Sequence, residues 1–287
     1  MDPSEDDLPD FVRATLSTSI FTTEPPEHVY HYTTIEGVLG ICKSQKIWAT
    51  DLSYMNDTSE YVYASRIIEE VTQAYTASQP RFGAYRNCCH RTPLDLGLRV
   101  YAASFCEEKD LLSQWRAYAN HGTGYAIEFS WLKIRDKFPQ NRIGRVEYSD
   151  GTQNEILRQI LNSLGGDLLV DGAAQDAHFA NVAAGLANAL LTVRAFLKSP
   201  TFREEKEWRI IAFDGTDTRE ELYRTSGNML VPYCALPLGN PDELPITKIV
   251  IGPSLNPRAA ECSLRRFLDS IGLKNVAIEV SPIPLRL

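Results

Sequence analysis

The stretch HVYHYTTIEGVLGICKSQKIWAT, residues 28–50, decides how the rest of the chain is read. Its first six residues alternate as a half-buried strand does. Ile35, Val38, Leu39 and Cys42 then fall on one face of a helix, and Thr33 with Glu36 fits the Ser/Thr-x-x-Glu capping box that opens one. A second short strand over residues 46–50 closes the unit. His31 therefore stands near a strand end, directly before a helix N-terminus.

Working outward, the pair Pro25-Pro26 breaks the chain before this unit, so residues 1–26 read as an acidic leader with a short helix over residues 11–19. After it come SYMNDTSEY and an amphipathic helix to about residue 75, an irregular stretch over residues 76–97, and the buried strand in LRVYAASFCEE. DLLSQWRAYANHG reads as a helix stopped by Asn120 to Gly122, and GYAIEFS and IGRVEYS read as strands. Residues 150–200 turn helical, with Phe179, Val182, Leu186, Leu190, Val193 and Leu197 at steps of three and four and Pro200 as the stop. TFREEKEWRIIAF enters a strand near Glu207, MLVPYCA adds one, and the last quarter reads strand, helix, strand. The expected architecture is α+β: one domain over residues 27–287, with two modest, bent, mixed or antiparallel sheets around a central cleft, flanked by helices, and a helical insertion at about residues 150–200.

Chain-wide properties exclude several classes. No run approaches the roughly 18 apolar residues of a membrane span, and MDPSEDDLPD has neither the basic nor the apolar region of a signal peptide, so a cytoplasmic location with no membrane partner is expected. Six cysteines in 287 residues form no C-x-x-C pair and predict reduced thiols. Cys88-Cys89-His90 is the one candidate metal cluster, and its vicinal ligands are poorly spaced for tetrahedral coordination, so no metal is expected. A formal charge of −8 argues against broad nonspecific nucleic-acid binding.

Four stretches gather polar or aromatic residues beside strand ends: His31-Tyr32-Thr33, Asn56-Asp57 with Glu60, Ser104 to Tyr118, and Arg203 to Arg209. Each has a plain structural explanation. His31 can be satisfied by a backbone carbonyl, Asp57 and Glu60 have capping spacing, Trp115 lies on the apolar helix face with Tyr118 at its edge, and FREEKEWR suits a solvated turn. That last explanation leaves Glu205 and Glu207 unaccounted for, since carboxylates two apart at a strand start point to one side. Like charges so close raise one of the two pKa values, and such pairs cluster at working sites.

The blocks YHYTTIEGVLGICKSQKIWATDLSYMNDTSEY, SFCEEKDLLSQWRAYANHGTGYAIEF, FREEKEWRIIAF and KIVIGPSLN resemble a bacterial and phage-associated family known as a domain of unknown function, a resemblance that covers residues 28–282. A strand ending in His-Tyr-Thr, followed by a helix and a short strand, is also similar to the first motif of ADP-ribosyltransferases of the His-Tyr-Glu kind, which include toxins acting on nucleic acid. That resemblance implies NAD as substrate, with no metal. His31, Tyr32 and Thr33 would hold NAD, Ser104 would sit in the middle motif, and Tyr118 or Trp115 would stack on nicotinamide. Glu207 would be the catalytic carboxylate with Glu205 beside it, and Arg209, next on the strand, would help bind NAD, while Asn56, Asp57 and Glu60 would position an acceptor, protein or nucleic acid.

The resemblance implies ADP-ribosyl transfer or NAD glycohydrolysis, in phage defence or as a toxin-like effector. Two other classes stay open: a non-enzymatic nucleotide-sensing or protein-interaction module on the same fold, and a metal-dependent nuclease or hydrolase using Asp57, Glu60 and Glu207.

Overall fold

A computed structural model describes residues 15, 17–55, 58–85, 89, 99–119, 122–138, 142–163, 175–213, 220–226, 228–240 and 243–284. Its helices are α1 (Ser19–Thr22), α2 (Ile35–Ser44), α3 (Thr58–Ser78), α4 (Leu112–Tyr118), α5 (Trp131–Arg135), α6 (Asp150–Ser163), α7 (Gln175–Arg194) and α8 (Pro257–Ser270). Its strands are β1 (His28–Thr33), β2 (Lys46–Asp51), β3 (Val100–Cys106), β4 (Tyr125–Ser130), β5 (Ile143–Arg145), β6 (Glu207–Phe213), β7 (Leu222–Ser226), β8 (Met229–Pro237), β9 (Ile246–Ile251) and β10 (Ala277–Val280). The chain is α+β, as expected. Among the described residues no helix is long and apolar enough to cross a membrane.

The strands join in one ten-stranded network rather than two separate sheets. The main path runs β10-β9-β4-β1-β3-β2-β8-β7, and β6, carrying β5, branches from β3. Among the strands of the described residues, only β9 and β10 pair in parallel. The branch has a simple cause. One edge of β3 pairs with β6 along its whole length. The other edge is shared, by β1 at Cys106 and by β2 at Tyr101 and Ala102, leaving residues 103–105 without a strand beside them. β1 and β2 thus splay apart across β3, and the opening between them is where a cavity forms.

β3 and β6 are buried on both faces, which explains why they read as apolar runs rather than alternating ones. Tyr101, Ala103, Phe105, Trp208, Ile210 and Ala212 join the core under α2, α5 and α8. Val100, Ala102, Ile211 and Phe213 face the other way, into a core built with Ile67 and Ile68 of α3, Ile156 and Leu157 of α6, and Leu186 and Leu190 of α7. Each such Ile, Leu or Phe contributes about 1.5–3 kcal/mol on burial, so these cores hold the β3–β6 pair rigid.

Three local readings are corrected. The helix cap is Thr34, whose Oγ1 accepts from Gly37 N at 3.3 Å. Thr33 cannot cap because it still pairs with Tyr125 in the sheet. α7 ends at Arg194, well short of Pro200, and the chain then forms an isolated bridge between Leu197 and Glu147 beside β5. Part of the stretch read as irregular is ordered: α3 continues to Ser78, and a 3-10 turn follows over Pro80–Ala84. Cys88 and His90 of the cysteine cluster, and most of the N-terminal leader, lie outside the described residues. Cys42, Cys89, Cys106, Cys234 and Cys262 carry free thiols.

Candidate active site

The split in the sheet opens into a cavity of about 390 Å³, within the size range of small-ligand sites. Its walls come from β1 and the start of α2, from β2 and β3, from α4, and from the turn between α7 and β6. His31, Tyr32, Thr33, Ser104, Tyr118, Glu60, Glu205 and Glu207 all line it, although they derive from sequence positions 31 to 207. Asn56 and Asp57 lie outside the described residues.

His31 fills the gap on the β3 edge. Its Nδ1 lies 2.9 Å from the Ser104 carbonyl oxygen, a group with no proton to give, so Nδ1 carries the hydrogen and Nε2 keeps its lone pair. The carbonyl that lost its ladder partner is thereby satisfied. Burial holds the imidazole pKa below its ordinary value, the carbonyl hydrogen bond offsets part of that, and Arg224 adds to the lowering. His31 at neutral pH is a neutral ring with a fixed tautomer. A backbone carbonyl satisfies the ring, as its plain structural explanation has it, and the ring also lines the cavity.

Tyr32 and Trp115 support the wall. Tyr32 Oη donates to Glu108 O at 2.7 Å and accepts from Leu111 N at 3.0 Å. Trp115 is wholly buried, its ring meeting Tyr32 edge-on at 4.8 Å and its Nε1 donating to Asp110 at 2.7 Å. The helical position that made Trp115 apolar-facing sends it to the core, and it does not line the cavity. Tyr118, one turn on, is 37% exposed and does. Two close approaches set these positions. A Cβ on Gly124 would meet Thr33 O at 2.5 Å and Ala119 Cα at 2.8 Å, so a glycine lets the end of α4 lie against β1. A Cβ on Gly37 would overlap Thr33 Oγ1.

The carboxylates are assembled differently from the expected strand pair. Glu205 ends a 3-10 turn (Pro200–Glu205), and Lys206 adopts φ 43° before β6 begins at Glu207. Both glutamates nonetheless converge, because Lys198 stands between them, with Nζ 2.6 Å from Glu205, 3.1 Å from Glu207 and 3.4 Å from Glu60. Arg209 is the second cation. It is fully buried, donates Nε and Nη2 to Glu207 at 2.7 and 2.8 Å, pairs with Glu60, and donates Nη1 to Ala195 O at 2.6 Å. Arg209 lies behind Glu207 and does not line the cavity. Lys198, which no sequence motif singled out, is placed by its backbone: Gln153 Nε2 donates to its carbonyl at 2.8 Å, and its N–H donates to Glu147 O at 3.1 Å. The helical stretch expected as a cover thus leads into a cation that lines the cavity.

Three carboxylates against two cations leave this buried cluster with a formal charge of −1. Burial alone would raise Glu207, but Arg209 and Lys198 outweigh it and hold the carboxyl down to about 2. The Ser104 hydroxyl, buried without a hydrogen bond of standard geometry, also favours the charged form. Burial pushes Glu205 the other way, above the usual carboxylate range, despite Lys198. Lys198 is held charged, since its three carboxylates overcome the cost of burial. Two neighbouring carboxylates with pKa values driven apart are the arrangement in which one stays ionised and the other exchanges a proton.

Glu60 and Glu207, two members of the metal-hydrolase reading, share Arg209 and Lys198, so a divalent cation would have to displace them. Among the described residues no group of three or more His, Cys, Asp or Glu side chains is arranged to hold a metal ion.

Residues 114–210, from α4 into β6, match the model of a family described as a protein of unknown function (DUF2971). The matched stretch holds Trp115, Tyr118, Lys198, Glu205, Glu207 and Arg209, and excludes His31. No curated protein and no solved structure matches the chain.

Proposed function

We propose that the protein cleaves NAD at the bond between nicotinamide and ribose, transferring ADP-ribose to an acceptor or to water. One observation carries this reading: His31, Tyr118 and Glu207, from three distant segments, line one cavity together with a buried cluster of net negative charge.

The nicotinamide end of NAD is a cation, and the transition state for losing it is an oxocarbenium-like sugar. A site with one excess negative charge, shielded from water, favours both, and more so as positive charge develops on the ribose. Tyr118 supplies an exposed ring for the pyridinium, and His31, with Nδ1 committed to Ser104, offers Nε2 as an acceptor. Arg209 and Lys198 donate three hydrogen bonds to the Glu207 carboxylate, out of about four lone-pair positions, leaving one to accept from a ribose hydroxyl. In the reaction the C–N bond to nicotinamide breaks with its electron pair going to the ring nitrogen, which leaves neutral. A new bond forms from the acceptor oxygen or nitrogen to the ribose carbon. The acceptor proton passes to Glu205, the carboxylate whose pKa is raised.

Nicotinamide release measured by chromatography tests this. The intact protein should release nicotinamide from NAD, and Glu207→Gln should slow release by about 100-fold or more, the scale of removing one preorganised charge-stabilising group. Release unchanged in Glu207→Gln refutes the assignment. The commitment of three of the Glu207 positions to cations favours a second reading, a module that binds a nucleotide without turnover. Nucleotide binding with no nicotinamide release, unaltered by Glu207→Gln, would establish that one instead.

A further inference from the structure

Among the described residues Lys198 is one of two Lys or Arg side chains lining the cavity, and three carboxylates saturate it. The other is Arg224, on β7, and it is treated very differently by its surroundings. It is half-buried, it makes no ion pair among the described residues, and its one hydrogen bond of standard geometry runs from Nη2 to Thr50 Oγ1 at 3.1 Å. Its Nε is buried with no partner at all. A guanidinium has five N–H donors, and proteins seldom withdraw one from water without supplying an anion. Burial accordingly disfavours its charged form.

The neighbours give the missing anion a context. Trp48 and Thr50 are two apart on β2 and so share the face that lines the cavity. Trp48 is 37% exposed there, its other surroundings fixed by Tyr233 at 4.9 Å and by Gly40. Ser226, two residues after Arg224 on β7, lines the same wall and adds a hydroxyl. The cavity thus has an acidic cluster on the α3, α7 and β6 side and an unpaired guanidinium beside an open indole on the β2, β8 and β7 side. A ligand cationic at one end and anionic further along, with a planar ring beyond, matches that order of charges.

We infer that Arg224, Thr50 and Trp48 form the arm of the site that holds the nucleoside-diphosphate half of the substrate, the guanidinium taking the diphosphate oxygens in a forked pair and the indole stacking on the base. The inference rests on the NAD reading for the identity of the whole ligand, but the recognition of a nucleoside diphosphate stands by itself. It also sets substrate class: nicotinamide mononucleotide, which lacks the second phosphate and the base, is a poor substrate.

Titration calorimetry with ADP-ribose and ADP tests it, on the wild-type chain and on Arg224→Gln, Arg224→Lys and Trp48→Ala, with thermal melts to check folding and nicotinamide release run alongside. Wild type should bind both ligands. Arg224→Gln, which keeps a donor to Thr50 but not the charge, should weaken ADP-ribose by about tenfold or more and raise the KM for NAD, Arg224→Lys should recover part of the loss, and Trp48→Ala should weaken it about fivefold or more. Wild type that fails to bind either ligand, or folded Arg224→Gln that binds ADP-ribose within twofold of wild type, overturns the inference. Arg224-dependent binding without nicotinamide release upholds this arm and refutes the cleavage reading. NAD cleavage with KM untouched by Arg224→Gln refutes the arm and leaves the cleavage reading standing.

Discussion

Replacing Lys198 with methionine separates an assembled charge cluster from one that is incidental. Methionine keeps the apolar stem of a side chain that is 5% exposed and removes only the ammonium, which lies over the Phe202 ring at 5.1 Å and within 3.4 Å of Glu60, Glu205 and Glu207. The formal charge of the cluster falls from −1 to −2, with Arg209 as the one remaining cation. Removing one member of a buried ion pair costs about 3–5 kcal/mol, because the charge left behind has already lost its water. At about 2 °C per kcal/mol for a chain of this size, Tm at pH 7.5 should drop by about 6–10 °C. The pH dependence supplies a second readout. Without Lys198 the pKa values of Glu205 and Glu207 rise, and a carboxyl whose folded pKa lies above its unfolded value stabilises the fold below the unfolded pKa and loses that contribution as pH rises through the folded one. The gap between Lys198→Met and wild type should therefore narrow as pH falls from 7.5 to 5, and Glu205→Gln in the Lys198→Met background should recover part of it. Scanning calorimetry at the two pH values measures both effects. A Tm loss under about 2 °C, or a loss that does not change with pH, would show that the three carboxylates do not depend on this ammonium.

His31 titrates below its ordinary 6.5 because it is buried, so it contributes stability above that value which is lost as pH falls through the lower folded pKa. The melting temperature should decline below about pH 6.5, and the slope of that decline should be shallower in His31→Asn, read from thermal melts across pH 5–7.5. Tyr118→Phe should keep NAD affinity within about twofold while Tyr118→Ala loses about 1–3 kcal/mol of it by calorimetry; equal losses would mean the hydroxyl near Glu205, rather than the ring, makes the contact. Gly124→Ala should destabilise the chain by about 2 kcal/mol or more in urea titration, since its methyl has backbone on two sides and nothing flexible to displace.

What the sequence discloses about this chain follows from which forces are local. Helix and strand periods are local, so the β1-α2-β2 opening, the buried strand at residues 100–106 and the closing strand, helix and strand are legible. β7 is not, because Leu222 to Ser226 are mostly exposed and show neither alternation nor an apolar run, and Arg224 goes unnoticed with it. Lys198 is hidden for a related reason. The apolar spacing continues through Leu197, so the segment reads as one helix to Pro200, while a backbone bridge to Glu147 and the buried Gln153 amide end it earlier. The convergence of Glu205 and Glu207 is legible, but its cause is not: a shared cation from 7 residues upstream of Glu205, in place of strand geometry.

The branch at β3 explains why these residues meet where they do. A continuous sheet satisfies every ladder carbonyl and has no interior opening, so a ligand site inside one requires strands to part without leaving orphaned groups. Here residues 103–105 lose a strand neighbour, and a side chain from the departing strand, His31, takes the Ser104 carbonyl. Substituting His31 therefore perturbs two things together, the cavity wall and the repair of the sheet. Asparagine donates to the same carbonyl only at shorter reach, whereas alanine leaves it unpaired at a cost of about 1–3 kcal/mol. If the histidine served only the sheet, NAD affinity would fall in step with stability across His31→Asn and His31→Ala. A loss of NAD affinity in His31→Asn exceeding what its stability loss accounts for is the result expected of a ring nitrogen that also meets the ligand.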